Sequence, residues 1–296
     1  MKAHHWGLIF AAVSPIASSI ATVFGGGAVK LLNPFITASF GPLLAAVILF
    51  ATLFIRGSKL SLQQIKKHHK DLIFLIISRQ ILGQLSFSIG LSLTDSIKAI
   101  FFTKAEPYFV LFWYWVFARE KVRPKHLSLL SLHIFGAILL STGGKLGSLG
   151  RAQLGDLFII MAMIFFALSY FPATKLAKNL GATQTNSLML LTGGLVILPF
   201  AIVFSNPTVW SQTLGWTYLL LATIIFFIFS LTLWFASLKT VKGWIVSALR
   251  SLGPLVGAPF AYFLFRESLN STQIVGGIIV LITSFFIARE HLKNIK

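Results

Sequence analysis

Ten apolar stretches follow one another along 296 residues, joined only by short polar connections. Several run for 18 or more residues almost without charge, the length a helix needs to cross roughly 30 Å of hydrocarbon at about 1.5 Å per residue. The stretches lie near 6–29, 34–55, 71–92, 96–118, 126–144, 154–174, 184–204, 213–237, 243–265 and 270–288. They predict an all-α membrane protein of ten transmembrane helices, numbered below as segments one to ten, with no room for a domain outside the bilayer. Composition agrees. Charged residues are 11% of the chain, against about 25% in soluble domains, and mean hydropathy is +0.85. Cysteine is absent, which excludes disulfides and thiolate metal sites.

A net charge of +18 would point to nucleic acid in a soluble chain, but here it reads as orientation against the membrane, and no nucleic-acid partner is expected. With the N-terminus inside, the cytoplasmic loops hold 17 of the 25 Lys and Arg: Lys2, Arg56, Lys59, Lys66, Lys67, Lys70, Arg119, Lys121, Arg123, Lys125, Lys175, Lys178, Lys239, Lys242, Arg289, Lys293 and Lys296. The opposite side holds 4, namely Lys30, Lys145, Arg151 and Arg266. Both termini are therefore expected in the cytoplasm. The first segment is too long for a signal-peptide core and lacks an A-x-A cleavage site, so it is read as an uncleaved helix.

The second half echoes the first. Gly7, Phe10, Ile16 and Lys30 align with Gly155, Phe158, Ile164 and Lys178 at an offset of 148. Leu91, Pro107, Arg119 and Glu120 align with Leu238, Pro254, Arg266 and Glu267 at an offset of 147. Gly136 to Thr142 in segment five matches Gly277 to Thr283 in segment ten. The repeat divides the chain into units 1–150 and 151–296. Five segments is an odd number, so the second unit enters from the opposite face, giving two inverted five-helix repeats. Such halves can exchange conformations around a site between them.

With its Pro107 and Pro254 helices each ending in Arg-Glu, and glycines at 136, 276 and 277, the chain resembles the EamA-type members of the drug/metabolite transporter superfamily over its whole length. The resemblance implies a central cavity surrounded by segments one, three, four, six, eight and nine. It implies nothing specific about cargo, since that family carries amino acids, cofactors, nucleoside-like metabolites and drugs.

Ionisable groups within hydrocarbon are functional candidates by default. Here they are Arg79, Lys98, Lys104, Glu106, His133 and Arg250. Lys98 lies near a segment end and is expected to snorkel to the interface, and Arg79 can partly do so. Glu106 is the one acidic residue near the middle of a segment, preceding Pro107, which removes a backbone donor and opens the helix. Burial favours the neutral form of a carboxyl, so Glu106 is a candidate proton carrier, or else half of a fixed ion pair with Arg250. Lys104 and Glu106 are two apart, about 200° around a helix, and should address different neighbours. Tyr108 shares the Lys104 face and Trp113 the Glu106 face. None of these charges repeats: at an offset of 147, Lys104 meets Ser251, Glu106 meets Gly253 and Arg250 meets Thr103.

Other features carry less. His133 reads as a packing residue, and 63–70 (QQIKKHHK) as a solvated loop able to touch anionic lipid. Gly25 to Gly27 lack the Gly-Lys-Ser/Thr of a phosphate loop, so no ATP site is indicated. No cofactor or metal is expected, and no catalytic constellation argues for an enzyme. A multi-pass secondary transporter of the bacterial cytoplasmic (inner) membrane follows, as a monomer or homodimer. Arg79, Lys104, Glu106, Tyr108, Trp113 and Arg250 would bind the substrate or couple its movement to a proton. Pro107 and Pro254 would supply the kinks or gates. Three central cations against one carboxylate favour an anionic or zwitterionic metabolite such as an amino acid, and the family resemblance implies export; efflux of cationic or aromatic drugs through Glu106 is the alternative.

Overall fold

In the computed structural model, residues 2–58, 61–118, 124–144 and 151–293 are described, and helices occupy all ten predicted segments. Arg119 and Glu120, with Lys59, Lys121, Arg123, Lys145 and Lys296 of the charge pattern, lie outside the described residues. Five helices are each long and apolar enough to cross a membrane: His4–Leu31, Pro34–Ile55, His69–Leu93, Ala182–Val203 and Thr213–Leu238. A sixth is added if Gln153–Leu168 and Tyr170–Asn179, bent by 43°, form one span. Segments four and nine fall short as single helices because a 3-10 turn interrupts each, at Thr103–Ala105 and Leu249–Leu252. The 63–70 stretch is not an open loop, since Leu62–Lys67 forms a short helix capped by Ser61 Oγ on the Gln64 amide at 3.3 Å.

The bundle is turned inside out relative to a soluble protein. Phe54, Ile55, Val203 and Phe263 are each more than 70% exposed, an outer surface suited to lipid tails. Ser14, Ser18, Thr22, Thr37, Gln80, Gln84 and Ser88 are buried instead. Between segments one and two, the Asn33 side chain accepts from the Ile36 amide at 2.7 Å, and Pro34 fills a position whose N–H would be unpaired anyway.

Segment two packs along seven, five along ten, four along nine, three along six and one along eight. This set of pairings maps onto itself when each segment is exchanged for the one five places on. Glycines matched across the repeat sit at two equivalent crossings. A methyl at Gly155 would lie 2.8 Å from Leu93 Cβ and 2.9 Å from the Gly90 carbonyl; one at Gly7 would strike Thr240 and Val241. Leu93 and Thr240 are themselves 147 apart. Segments five and ten touch through Gly136 and Gly276, where a Cβ at 276 would come within 2.6 Å of the Gly136 carbonyl. Small residues allow that close backbone approach in membranes.

The backbone repeats more faithfully than the side chains do. Segment three winds as a π-helix over Ile76–Gly83 and segment eight over Thr223–Ser230, the same eight positions at an offset of 147. The 3-10 turns at 103–105 and 249–252 correspond in the same way. One feature breaks the pattern. Segment six bends at Ser169 because Pro172 denies the Leu168 carbonyl its donor, whereas segment one runs through Pro15 unbroken.

Two apolar cores close the ends of the bundle. One gathers Leu49, Leu75, Leu176, Trp234, Phe235 and Leu238; the other gathers Val23, Leu91, Ile100, Phe102, Ile159 and Ala261. The candidate site lies between them.

Candidate functional site

Segments four and nine build the site through their prolines. Pro107 has no N–H for the Thr103 carbonyl, so the Glu106 amide takes it in a tighter 3-10 turn. Pro254 does the same to the Arg250 carbonyl, which receives the Gly253 amide at 3.2 Å. That freed carbonyl also accepts a bond from Lys104 Nζ at 2.5 Å. In return, Arg250 Nε lies 3.0 Å from Glu106 Oε2. The two helices are thus joined twice, side chain to backbone and side chain to side chain.

Lys104 and Glu106 therefore meet the same residue, not different neighbours as the helical spacing predicts. The 3-10 turn and the length of Arg250 make this geometry available. All three side chains are buried, Glu106 completely. Glu106 Oε1 accepts no hydrogen bond among the described residues, and the Arg250 contact is an ion pair without aligned hydrogen-bond geometry.

Arg79 completes the cluster from the π-helical stretch of segment three. It does not snorkel. Its guanidinium lies 3.9 Å from the Trp234 ring centroid and 4.9 Å from that of Phe166, and Nη1 donates to Ser169 Oγ at 3.2 Å. Stacking on two desolvated rings contributes roughly 2 kcal/mol toward holding a cation here. Ser169 is free to accept because its own hydroxyl proton goes to the Phe166 carbonyl at 2.6 Å, at the bend Pro172 creates. Tyr170, fully buried, packs edge-on to Trp234 at 5.0 Å. Glu106 and Arg250 act electrostatically on both Arg79 and Tyr170.

A cavity of about 50 Å³ opens beside this cluster, with Ser18, Thr22, Gln84 and Ser88 on its walls and Thr103 and Arg250 among its lining. That is space for a few waters, not for a metabolite.

The remaining candidates lie elsewhere. The Tyr108 ring lies 4.5 Å from that of His133, tilted by 52°, and lines a side crevice of about 460 Å³ between segments four, five and six. His133 is a buried residue with its polar atom satisfied, since Nδ1 pairs with Thr283 Oγ1 at 2.9 Å. Trp113 does not line the central cavity, since its indole N–H donates to the Ile164 carbonyl at 3.2 Å and docks segment four on six. Lys98 does not reach the interface either. It is buried 3.8 Å from Asp156, which also accepts from Thr94 Oγ1 at 2.6 Å. Lys98 has a partner and so no need to snorkel.

Arg266 and Glu267 have a structural explanation. Arg266 ends the ninth helix at φ 55°, the left-handed region, and turns the chain so that Glu267 accepts from the Ser96 and Ile97 amides at 3.1 and 2.8 Å. Glu267 thereby caps the start of segment four, with Lys30 3.6 Å away.

Sequence reasoning missed Tyr170, Ser169 and Asp156; Trp234 was among the aromatic residues that could line a cavity, with packing or interfacial anchoring as the default. Pro172 could have found the first two, because the residues just before a mid-segment proline sit where the helix opens. Asp156 lies near the start of its segment and so escaped a search for charges at mid-membrane.

Fold and site together define a multi-pass membrane protein with a charged centre between two related halves, the architecture of a membrane transporter. Two stretches of the chain, residues 5–142 and 153–289, match the EamA-like transporter family, and the chain belongs to that family. It is 26% identical over 294 residues to the uncharacterized transporter YetK of Bacillus subtilis (strain 168), covering 92% of this chain and 84% of that one. It is 24% identical over 302 residues to an uncharacterized transporter of Methanothermobacter thermautotrophicus, covering 95% and 85%. A solved crystal structure shares the fold with a TM-score of 0.67 at 13% identity, over 95% of this chain and 98% of that chain.

Proposed function

We propose that the protein is a ten-span secondary transporter that moves a small anionic or zwitterionic metabolite, such as an amino acid, by alternating access. It lies in the bacterial cytoplasmic membrane with both termini inside, its units 1–150 and 151–296 inverted, and it works in the direction of export. The self-mapping helix pairs and the π-helical stretches 147 residues apart support the inverted repeat.

One observation carries the substrate class: three buried basic side chains, Arg79, Lys104 and Arg250, gather around the single carboxylate of Glu106. Burying charge is expensive unless it is compensated, so the centre favours a guest that brings negative charge. A substrate carboxylate would take Arg250 while its ammonium, or a proton, takes Glu106. That exchange would dissolve the ion pair linking segments four and nine, and differential binding of this kind is what shifts a two-state equilibrium. Pro107 and Pro254 would act as the gating points. Cation efflux through Glu106 is the weaker reading, because a cationic drug would first have to displace Arg250.

The test is counterflow in liposomes, preceded by a thermal-shift screen of amino acids, organic acids, nucleotides and cationic dyes, since a ligand that binds the folded state stabilises it. Arg250→Ala and Glu106→Gln are expected to reduce counterflow at least tenfold, equivalent to about 1.4 kcal/mol, while still inserting. Normal transport by both variants overturns the charged-centre reading. Stabilisation by cationic dyes alone, lost in Glu106→Gln, selects the efflux reading.

A further inference from the structure

A further cavity, of about 270 Å³, lies at the end of the bundle away from Lys30 and Glu267, between segments four, six, eight and nine. Lys178 and Lys242 line it together with Tyr114, Thr174, Gly243 and Trp244. Neither lysine has an acidic partner among the described residues. Thr174 Oγ1 is buried in this wall without a hydrogen-bond partner among those residues.

The repeat shows what is unusual here. At the other end, Lys30 stands 3.6 Å from both Asp95 and Glu267 and its charge is compensated. Its counterpart is Lys178, but the position matching Asp95 is Lys242. Duplication has kept the cation, exchanged the acid at the Asp95 position for a second cation, and kept an acid, Glu120, at the position matching Glu267, outside the described residues. The cavity also abuts the central cluster. A Cβ at Gly243 would be 3.0 Å from the Tyr170 ring and 3.1 Å from Tyr114 Oη, and Tyr170 is itself within the electrostatic reach of Glu106.

We propose that this cavity is an oxyanion-binding vestibule, in which Lys178 and Lys242 hold a phosphate or carboxylate group and Thr174 supplies a hydroxyl donor. Two like charges facing one small space concentrate anions there. Tyr170 separates this outer station from the central charges. The vestibule's place on a transport path rests on the function proposed above; anion binding does not, and it is measured without transport.

The experiment uses full-length protein in phosphatidylcholine nanodiscs, titrated with inorganic phosphate against chloride at matched ionic strength. Tryptophan fluorescence is the readout, with Trp244→Phe identifying the local signal. A saturable change is expected in the parent protein and in Arg250→Ala, at least about tenfold weaker in Lys178→Gln/Lys242→Gln. No saturable change, or one that survives loss of both lysines, overturns the proposal. A response lost in Arg250→Ala but kept in the lysine variant moves the anion to the centre, overturning the vestibule and leaving the central reading intact. Repeating the titration with phosphatidylglycerol distinguishes the sources. Suppression of the phosphate response marks a lipid headgroup as the occupant of the lysine site; an undiminished response marks a soluble anion.

Discussion

Glu106 is the hinge of the electrostatics because it is the single acid facing three cations. When a buried pair loses one partner, the group left behind is uncompensated, at a cost of roughly 3–5 kcal/mol, whereas replacing both partners with apolar groups can be nearly neutral. Removing Glu106 leaves Arg79, Lys104 and Arg250 to repel one another. Removing Arg250 leaves Glu106 with two cations still in its field. Glu106→Gln should therefore lower the thermal unfolding midpoint in detergent more than Arg250→Met does, and the double variant should recover part of the loss. The reverse order would show that Glu106 is not the group holding these charges together. The four charged members were legible in the sequence because an ionisable residue in an apolar run stands out. Tyr170 was not, and Trp234 was legible only as one of several aromatics, since an aromatic residue in such a run looks the same whether it packs against leucine or carries a guanidinium. Lys98 misled for a related reason: position along a segment suggests snorkelling, but only the fold reveals Asp156 beside it.

Helices in this bundle are opened by prolines and closed again by side chains from their neighbours. Pro42 strips the donor from the Ala38 carbonyl, and Gln80 Nε2 of segment three supplies one at 3.3 Å. Pro254 strips the Arg250 carbonyl, and Lys104 supplies another. The π-helical stretch of segment eight is tied in the same way, with Asn186 donating to the Phe227 carbonyl at 2.8 Å. Each bond is made between segments, so movement of one segment past the other must break it. Pro254→Ala returns an intrahelical donor to the Arg250 carbonyl and weakens the claim of Lys104 on it. The expected result is an unfolding midpoint that is unchanged or higher, with slower counterflow. Unaltered counterflow would remove Pro254 from the transport cycle. Prolines announce such openings in a sequence. The π-helical stretches have no residue signature, and their correspondence at an offset of 147 appears only in the backbone.

At the scale of the whole molecule, the proposed orientation follows from where the cations lie outside the bilayer. Lys and Arg are held on the cytoplasmic side during insertion, and a bias of 17 to 4 over short loops is enough to fix the way a bundle faces. The same orientation puts the Lys178 and Lys242 cavity inside and the Lys30, Asp95 and Glu267 contacts outside. Because the chain has no cysteine, each side can be tested with one substitution and no background. Gln63, before segment three, and Ser211, before segment eight, are both exposed at positions that leave the bundle contacts untouched. In intact cells a membrane-impermeant maleimide should label Ser211→Cys and spare Gln63→Cys, which should react only after permeabilisation. The opposite pattern would invert the molecule, placing the lysine cavity on the outer face, where it would meet solutes arriving from outside. Labelling of both in intact cells would mean that an even number of crossings, not the proposed five, separates Gln63 from Ser211, and the ten-span count would fall with the orientation.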